Sequence, residues 1–249
     1  SAMPPALDEA QQAVVAKLDA DGFALVSLEE LLGDAGMAAA VAAVRPGVTE
    51  SAVAAAAESA MRHAGAEGFW RTYVASGPRT NIAHGLPTLK RIEAGDLVMI
   101  DLHPIARGYS ADLCRTVCAG TPDAAQQAAY DLYLSAQQAA IGAARAGVTV
   151  EALEAAMHDP LRAAGHAAHI FGPPLHGIGI EFEEAPLPAG HAFFHGEDAP
   201  PPLVANTVLA IGNCGLYTGP WGVRVEDTVV VGQSGPLVLT RYPRRLTDN

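Results

Sequence analysis

Two kinds of hydrophobic pattern follow one another along the chain and predict a protein of mixed α and β structure. Alanine-rich stretches with helical spacing precede short apolar runs of Val, Ile and Leu that are bounded by Gly and Pro. Two helical stretches, "VRPGVTESAVAAAAESAMRHAGA" from Val44 and "ARAGVTVEALEAAMHDPLRAAGH" from Ala144, align without a gap at an offset of 100 residues. Alanine-rich helices also match by chance, but the shared GVT start and the shared closing Gly favour a true repeat of two αββ halves.

Further helices are expected around this repeat. Thr121 is a candidate N-cap with Pro122 at the first helical position, opening a long helix to about Arg145 that Gly147 ends. Residues 7–18 and 28–44 also have helical patterns. We therefore expect an N-terminal helical segment over residues 1–43 and the main domain over residues 44–249.

The first apolar hairpin, "GDLVMIDLHPIARGYSADLCRTV" from Gly95, carries two acids in strands that should be buried. A turn near 106–108 places Asp101 directly opposite Asp112. Like charges at such positions are destabilising unless a shared proton or a cation lies between them. Two acids on a wet face are the alternative, which the apolar neighbours disfavour. Paired carboxylates suit divalent Mn, Fe, Co or Zn.

The second hairpin, "NTVLAIGNCGLYTGPWGVRVEDTVVV" from Asn206, has its turn near 219–220. Glu226 then faces Asn213, and alignment on the glycine after each turn makes Glu226 the equivalent of Asp112. Internal symmetry requires a second acid near position 213. The chain has a neutral amide there instead.

Two histidines and one long connection are further candidates for chemistry. His176 lies on an apolar strand in "PPLHGIGIEFEEAP"; a lone strand histidine is more often a core residue than a metal ligand. His84, in the loop "NIAHGLPT", could bind a substrate carbonyl or relay a proton near a metal. The connection over 186–206 is long for a compact domain, which is typical of functional loops.

Composition limits the class of partner. The net charge of -12 and pI of about 5.1 leave few Lys and Arg residues for tracking phosphates, so we expect no nucleic-acid partner. Cys114, Cys118 and Cys214 form no even-numbered framework, which favours a reducing compartment, and the cytoplasm is the expected location. No apolar run reaches the length of a membrane helix, so no membrane partner is expected.

Taken together, the motifs "HGLPT", "GDLVMIDL...GYSADLCRT", "HGIGIEFEEAP" and "GVRVEDTVVV" resemble the pita-bread metallopeptidase family. That family includes methionine aminopeptidase, Xaa-Pro aminopeptidase, prolidase and the metal-free relative creatinase. The resemblance covers roughly residues 44–240 and is closer to the Xaa-Pro aminopeptidase and prolidase branch. It implies an α+β pita-bread fold, with two pseudo-symmetric αββ halves around a curved antiparallel sheet.

The resemblance also implies a site and a reaction. Asp101, Asp112, His176 and Glu226 would be metal ligands, and His84 would assist substrate binding and proton transfer. The expected cofactor is a divalent metal (Mn, Fe, Co or Zn), as one or two ions. The expected reaction is cleavage of an amide bond of a small peptide by a metal-activated water.

Four positions depart from the family pattern, and all lie near the chemistry. Asn213 stands where the family has another ligand Glu, and Cys214 where it has Pro. Glu183 stands where the family has its second catalytic His, and Leu175 replaces a Gly. Loss of the acid at 213 most affects the metal held by His176, so one ion is expected to remain if two cannot bind.

Three interpretations follow. In the first, the protein is a metallohydrolase whose missing ligand or acid/base comes from Glu183 or from the 186–206 loop. In the second, it is a creatinase-like enzyme that acts on a small non-peptide metabolite with little or no metal, using His84 and Glu183 as acid and base. In the third, it is a non-catalytic binding module with the pita-bread fold. The candidate residues of the loop are His191, His195, Glu197 and Asp198.

The same loop offers candidate contacts to the substrate, namely His191 and His195, together with His84. The expected partner is a small peptide or small molecule. Relatives of this kind are often dimers, which makes a homodimer an expectation by analogy.

Overall fold

Helices and antiparallel strands follow one another twice, in the order that the repeat predicts. The structure is a computed structural model that describes residues 32–189 and 200–247. Within these ranges the α-helices are Gly33–Ala43 (α1), Glu50–Ala64 (α2), Ala124–Ala143 (α3) and Val150–Ala163 (α4). The earlier strands are Gly68–Ser76 (β1), Leu97–Ala106 (β2), Tyr109–Ser110 (β3) and Leu113–Cys118 (β4). The later strands are Ile170–Phe171 (β5), Leu175–Gly177 (β6), Val208–Ile211 (β7), Gly215–Tyr217 (β8), Gly222–Val223 (β9), Asp227–Val230 (β10) and Leu237–Val238 (β11).

The repeated helices begin and end as their sequences predict. Thr49 and Thr149 each accept a hydrogen bond from the amide three residues later, which caps α2 and α4. Gly65 and Gly165 follow the two helices with positive φ angles of 112° and 87°. Because an L side chain is strained in this conformation, glycine is favoured at both positions.

The two halves also share a tertiary contact at the start of each helix. The Gly47 amide donates to the Ile92 carbonyl at 2.9 Å, and the Gly147 amide donates to the Leu203 carbonyl at 2.8 Å. Gly47 and Gly147 are 100 residues apart, as the repeat requires. The pseudo-symmetry is therefore present in the backbone as well as in the sequence.

The register of the first hairpin differs from the prediction. Arg107 and Gly108 form a two-residue turn in which both φ angles are positive, 52° and 78°. Asp101 consequently pairs with Cys114 and not with Asp112. The prediction that the two acids lie directly opposite each other is wrong by two residues, because the turn lies one residue later than its predicted position.

The second hairpin contains a one-residue shift of register. β8 and β9 pair as predicted, whereas Asp227 on β10 lies opposite Ile211 on β7. The shift is taken up at Gly212, whose φ angle is 121°. The predicted direct pairing of Glu226 with Asn213 stays a prediction, since both residues lie in the irregular link between these two paired segments.

A backbone bridge joins the two hairpins. The Cys114 amide donates to the Glu226 carbonyl at 3.3 Å, and the Glu226 amide donates back to the Cys114 carbonyl at 3.0 Å. On the same strands, the Arg224 amide donates to the Thr116 hydroxyl at 3.0 Å. These bonds fix Glu226 beside the strand that follows Asp112.

The helices cover the sheets with apolar faces. Met37 on α1 and Met61 on α2 are fully buried in one core with β2 and β4. A second core packs α3 and α4 against β7 and β10. Burial of each such side chain stabilises the fold by roughly 1.5–3 kcal/mol. The α1 helix lies within the predicted 28–44 stretch, while the 7–18 prediction falls outside the described residues, and the boundary at 43/44 stays a prediction.

The long helix α3 is present but begins later than predicted. Its N-cap is Asp123, which accepts from the Gln126 amide at 2.8 Å while the Gln126 side chain accepts from the Asp123 amide at 2.9 Å. This capping box places Thr121 and Pro122 before the helix. Among the helices of residues 32–189 and 200–247, none has the length and apolar character needed to cross a bilayer.

Candidate metal centre

Four side chains predicted from the sequence meet in the protein interior. Asp101 lies on β2, Asp112 between β3 and β4, His176 on β6, and Glu226 directly before β10, and each is at most 1% exposed. His176 Nε2 is 3.4 Å from Asp112 Oδ2 and 3.9 Å from Glu226 Oε1. Ligand atoms of Asp112, His176 and Glu226 all lie within 4.8 Å of one another. The structure thus brings the four residues together, and their roles as ligands stay predictions.

His103, which is not among the predicted site residues, lies in the same cluster. Its Nε2 atom is 3.3 Å from Asp101 Oδ1 and 3.4 Å from Asp112 Oδ1. Asp101, His103 and Asp112 form a second set of ligand atoms within 4.8 Å of one another. The available signal was the strand period of two, which puts Asp101 and His103 on the same face of β2.

One arginine partly neutralises the acids. Arg224 Nη2 contacts Asp101 Oδ2, and Arg224 Nε is 3.9 Å from Glu226 Oε2. Arg224 is itself buried. The cluster contains three carboxylates, those of Asp101, Asp112 and Glu226. When all three are ionised and the imidazoles are neutral, the single positive charge of the guanidinium leaves a net charge of two negative units. One divalent cation balances that charge.

The cluster contains buried polar atoms that no described group satisfies. Asp101 Oδ1, Asp112 Oδ1, both Glu226 carboxylate oxygens and His176 Nε2 have no hydrogen-bond partner among the described residues. Buried oxygens without a partner are costly, whereas a cation would satisfy all of them at once. The donor set of carboxylates and imidazole is also the set that borderline divalent metals prefer. The residues therefore fit a divalent cation.

The pKa values in the cluster show how strongly it attracts positive charge. Burial, with repulsion from Asp112, raises the pKa of Glu226 to about 8. Burial lowers the pKa of His176, but its contact with Asp112 outweighs burial and raises that pKa to about 9. Burial likewise raises the pKa of Asp112, and the facing imidazoles of His103 and His176 outweigh it, lowering that pKa to about 2. Protons therefore compete with a metal cation for this cluster.

His84 lies at the rim of the cluster. It is an exposed residue whose ring stacks on Tyr73 with a centroid separation of 5.0 Å. Desolvation of the packed ring and the positive charge of Arg224 lower the pKa of His84 below its ordinary value. His84 is therefore neutral near pH 7 and can donate or accept a hydrogen bond.

Aromatic rings enclose the histidines on one side. Trp70 and Phe182 stack with centroids 4.1 Å apart, and the Phe182 ring lies 4.6 Å from His103 and 5.4 Å from His176. Glu183 follows Phe182 in the loop after β6 and is half-buried. The chain therefore brings Glu183 to the neighbourhood of the cluster, and its catalytic role stays a prediction.

Of the remaining predicted site residues, the structure describes Asn213 but not those of the 186–206 loop. Asn213 is 9% exposed in the link between β7 and β8. The loop residues with predicted roles all lie outside the described residues. They are His191, His195, Glu197 and Asp198.

The fold has close counterparts among solved structures. Prolidase from Pyrococcus furiosus superposes with a TM-score of 0.81 at 32% identity, covering 88% of this chain and 64% of that one. Dipeptidase PepE from Mycobacterium ulcerans superposes with a TM-score of 0.82 at 32% identity, covering 93% of this chain and 60% of that one. Two helix-and-hairpin halves with this likeness define a protein of the pita-bread class.

Sequence comparison assigns the family. The model of metallopeptidase family M24 matches residues 31–233, and the chain belongs to that family. It is 33% identical over 222 residues to the Xaa-Pro dipeptidase of Pyrococcus furiosus, covering 86% of this chain and 60% of that protein. It is 34% identical over 216 residues to the Xaa-Pro dipeptidase of Lactobacillus helveticus, covering 82% of this chain and 54% of that protein. The chain thus spans little more than half the length of these relatives.

Proposed function

We propose that the protein is a divalent-metal-dependent peptidase that cleaves the amide bond of short peptides, with Xaa-Pro dipeptides as its first candidate substrates. The observation that carries this proposal is the buried cluster of carboxylates and imidazoles, in which several carboxylate oxygens lack hydrogen-bond partners among the described residues. Membership of a metallopeptidase family and the names of the relatives support the same reaction.

Asp101, Asp112, His176 and Glu226 are the proposed ligands. A divalent cation bound there supplies positive charge that acidifies a water molecule and polarises an amide carbonyl. The interior position of the ligands helps, because exclusion of bulk water strengthens each electrostatic interaction with the reacting atoms.

We assign the orientation of the peptide and the movement of protons to His84 and Glu183. Hydrolysis forms a bond between the water oxygen and the carbonyl carbon, breaks the C–N bond and gives the leaving nitrogen a proton. Neutral His84 can donate a hydrogen bond to a substrate carbonyl from the rim. Glu183, which follows Phe182 in the chain, is the proposed group that takes the proton from water and returns it to the leaving nitrogen.

The test combines metal analysis with activity on defined peptides. Protein grown with added Mn and Fe is analysed for metal, stripped with a chelator, and assayed on Ala-Pro and Ala-Ala after return of Mn, Fe(II), Co or Zn. We expect stoichiometric metal, loss of Ala-Pro cleavage on stripping, and recovery with at least one metal. Asp112→Asn should abolish binding and activity, whereas Asp159→Asn, on the exposed surface of α4, should change neither.

Metal content below about one tenth of an equivalent, with no binding on titration, would reject the proposal. Turnover of small amides or guanidino compounds by such a protein would favour the creatinase-like interpretation. Absence of both metal and turnover would favour a binding module.

Finer assignments form part of the proposal. We propose manganese as one of the metals to test, and a helical segment over residues 1–43 ahead of a catalytic domain over residues 44–249. Three buried cysteines without a disulfide among the described residues support a reducing, cytoplasmic location. A homodimer is proposed by analogy, and size-exclusion chromatography with light scattering tests it.

A further inference from the structure

We propose that His103 is a metal ligand in addition to those that the family resemblance implies, so that Asp101, His103 and Asp112 hold a cation by themselves. This inference rests on the proposed function, because it assumes that the cluster binds a divalent metal. It changes the expected centre, because each side of Asp112 then has its own imidazole.

The backbone directs His103 at the two acids. Asp101 and His103 are two apart on β2 and share a face, and the register places His103 at the level of Asp112 on the facing strand. Residues in these cross-strand positions have side chains close enough to touch. The three ligand atoms accordingly lie within 4.8 Å of one another, at positions that are each 1% exposed.

The ring of His103 is oriented in the same way as that of His176. His103 Nδ1 lies 2.9 Å from the Arg71 carbonyl, and His176 Nδ1 lies 2.9 Å from the Gly177 carbonyl. A carbonyl accepts only, so each Nδ1 carries the proton and donates it. The other nitrogen, Nε2, faces the carboxylates and can bind a metal that displaces its proton, which is the usual arrangement of a metal-bound histidine.

Neighbouring rings hold His103 in this orientation. Trp70, Tyr73 and Phe182 contact the His103 ring edge-on, with centroid separations of 5.8, 5.5 and 4.6 Å. The ring is thus enclosed on its apolar sides while Nε2 faces two oxygens, Asp101 Oδ1 and Asp112 Oδ1, that have no hydrogen-bond partner among the described residues. Lone pairs that converge in this way repel one another unless a positive charge lies among them.

His103 adds a donor on the Asp101 side of the cluster, opposite the side where Asn213 replaces a family Glu. Asn213 supplies no charge on the His176 side, so that side has only three strong donors. With His103, the Asp101 side also has three donors, one of them nitrogen. Because imidazole suits Zn and Fe while carboxylates suit Mn, the extra nitrogen should favour Zn, Co and Fe(II) over Mn.

The test is direct titration of the stripped protein with Zn, Co(II) and Mn, using calorimetry and the visible absorption of Co(II). The variants are His103→Gln and His176→Gln, with His158→Gln as a matched control because His158 is a buried histidine on α4. We expect His103→Gln to weaken Zn and Co binding by at least about tenfold, to weaken Mn binding less, and to change the Co(II) spectrum. His158→Gln should bind like the wild type.

In the alternative, His103 is protonated and its positively charged ring neutralises Asp101 and Asp112 in place of a metal. In that case His103→Gln would bind metal more tightly, which would overturn the proposal, as would unchanged affinity. If wild-type protein binds no metal, the proposed function fails too. If His176→Gln loses metal and His103→Gln does not, only the inference about His103 fails.

A measurement on the wild type covers the case in which His103→Gln does not fold. Histidine-selective ¹⁵N NMR of the Zn-loaded protein reports which ring nitrogens bind metal. Two Nε2 signals moved to metal-bound positions, assigned to His103 and His176, support the proposal. A shift of the His176 signal alone overturns it.

Discussion

A buried ion-pair network behind the site gives a sharp prediction about stability. Asp227 is fully buried, and its Oδ1 atom accepts from Arg115 at 2.7 Å and from the Thr240 hydroxyl at 2.5 Å. Its Oδ2 atom accepts from Gln137 at 2.7 Å and from Arg244 at 2.7 Å. Every lone-pair direction of this carboxylate that the described residues reach is thus used by a donor.

The change Asp227→Asn keeps the shape but replaces one acceptor with an NH₂ donor. If that amide nitrogen takes the Oδ2 position, it faces two donors, and two hydrogen bonds to a charged group are lost at about 1.5–3 kcal/mol each. Arg115, which is also buried, loses its counter-charge, and breaking a buried pair destabilises by about 3–5 kcal/mol. These effects overlap, so we expect a total of about 3–5 kcal/mol. For a chain of this size that corresponds to a fall in Tm of about 6–20 °C.

Urea unfolding of the metal-stripped protein, followed by circular dichroism, measures this change without a contribution from bound metal. Asp159→Asn is the control, because Asp159 forms an exposed pair with Arg162 on the surface of α4. Exposed pairs contribute about 0–1 kcal/mol, so the control should unfold almost like the wild type. A loss below about 1 kcal/mol for Asp227→Asn would refute the reasoning that this carboxylate is the required partner of Arg115.

Two further changes test the backbone of the site. Gly212→Ala places a side chain at a positive φ angle and against the Val225 carbonyl, so it should lower the free energy of unfolding by more than about 2 kcal/mol in urea. The control is Gly142→Ala, a change within a helix that has open space around it, which should leave stability unchanged or raise it by up to about 1 kcal/mol. Similar losses of stability for both variants would contradict this account. Glu50→Gln removes the buried carboxylate that accepts hydrogen bonds from several groups of residues 76–88, so amides around His84 should exchange faster with deuterium while those of α4 stay unchanged. Equal exchange rates in the variant and the wild type would show that Glu50 does not hold this segment.

The helices could be predicted from the sequence because their signals are local. The capping threonines Thr49 and Thr149 and the closing glycines lie within a few residues of the turns that they stabilise. The 100-residue offset adds a second, independent signal, which the matched contacts of Gly47 and Gly147 confirm. Where a local signal was ambiguous, as at Thr121, two possible caps lay within three residues and Gln126 decided between them.

The strand register could not be predicted with the same accuracy, and the site was incomplete for that reason. Moving a hairpin turn by one residue changes every cross-strand partner by two. With the turn placed early, His103 had no reason to face Asp112; with Arg107 and Gly108 as a two-residue turn, it does. The convergence of His176 and Glu226 on Asp112 depends on long-range contacts, and only similarity to a known family indicated it in advance.

The contacts beside the backbone bridge between the two hairpins explain how the fold accommodates the buried charges of the cluster. Arg115 donates to the Glu226 carbonyl at 2.8 Å and to Asp227 on the next residue, so one buried cation fixes the backbone of a proposed ligand. Arg224 holds the side chain of another proposed ligand through its contact with the Asp101 carboxylate. These two arginines hold the strands whether or not a metal is bound. Because these contacts do not involve a metal, a metal-stripped protein should keep its secondary structure, as measured by far-UV circular dichroism.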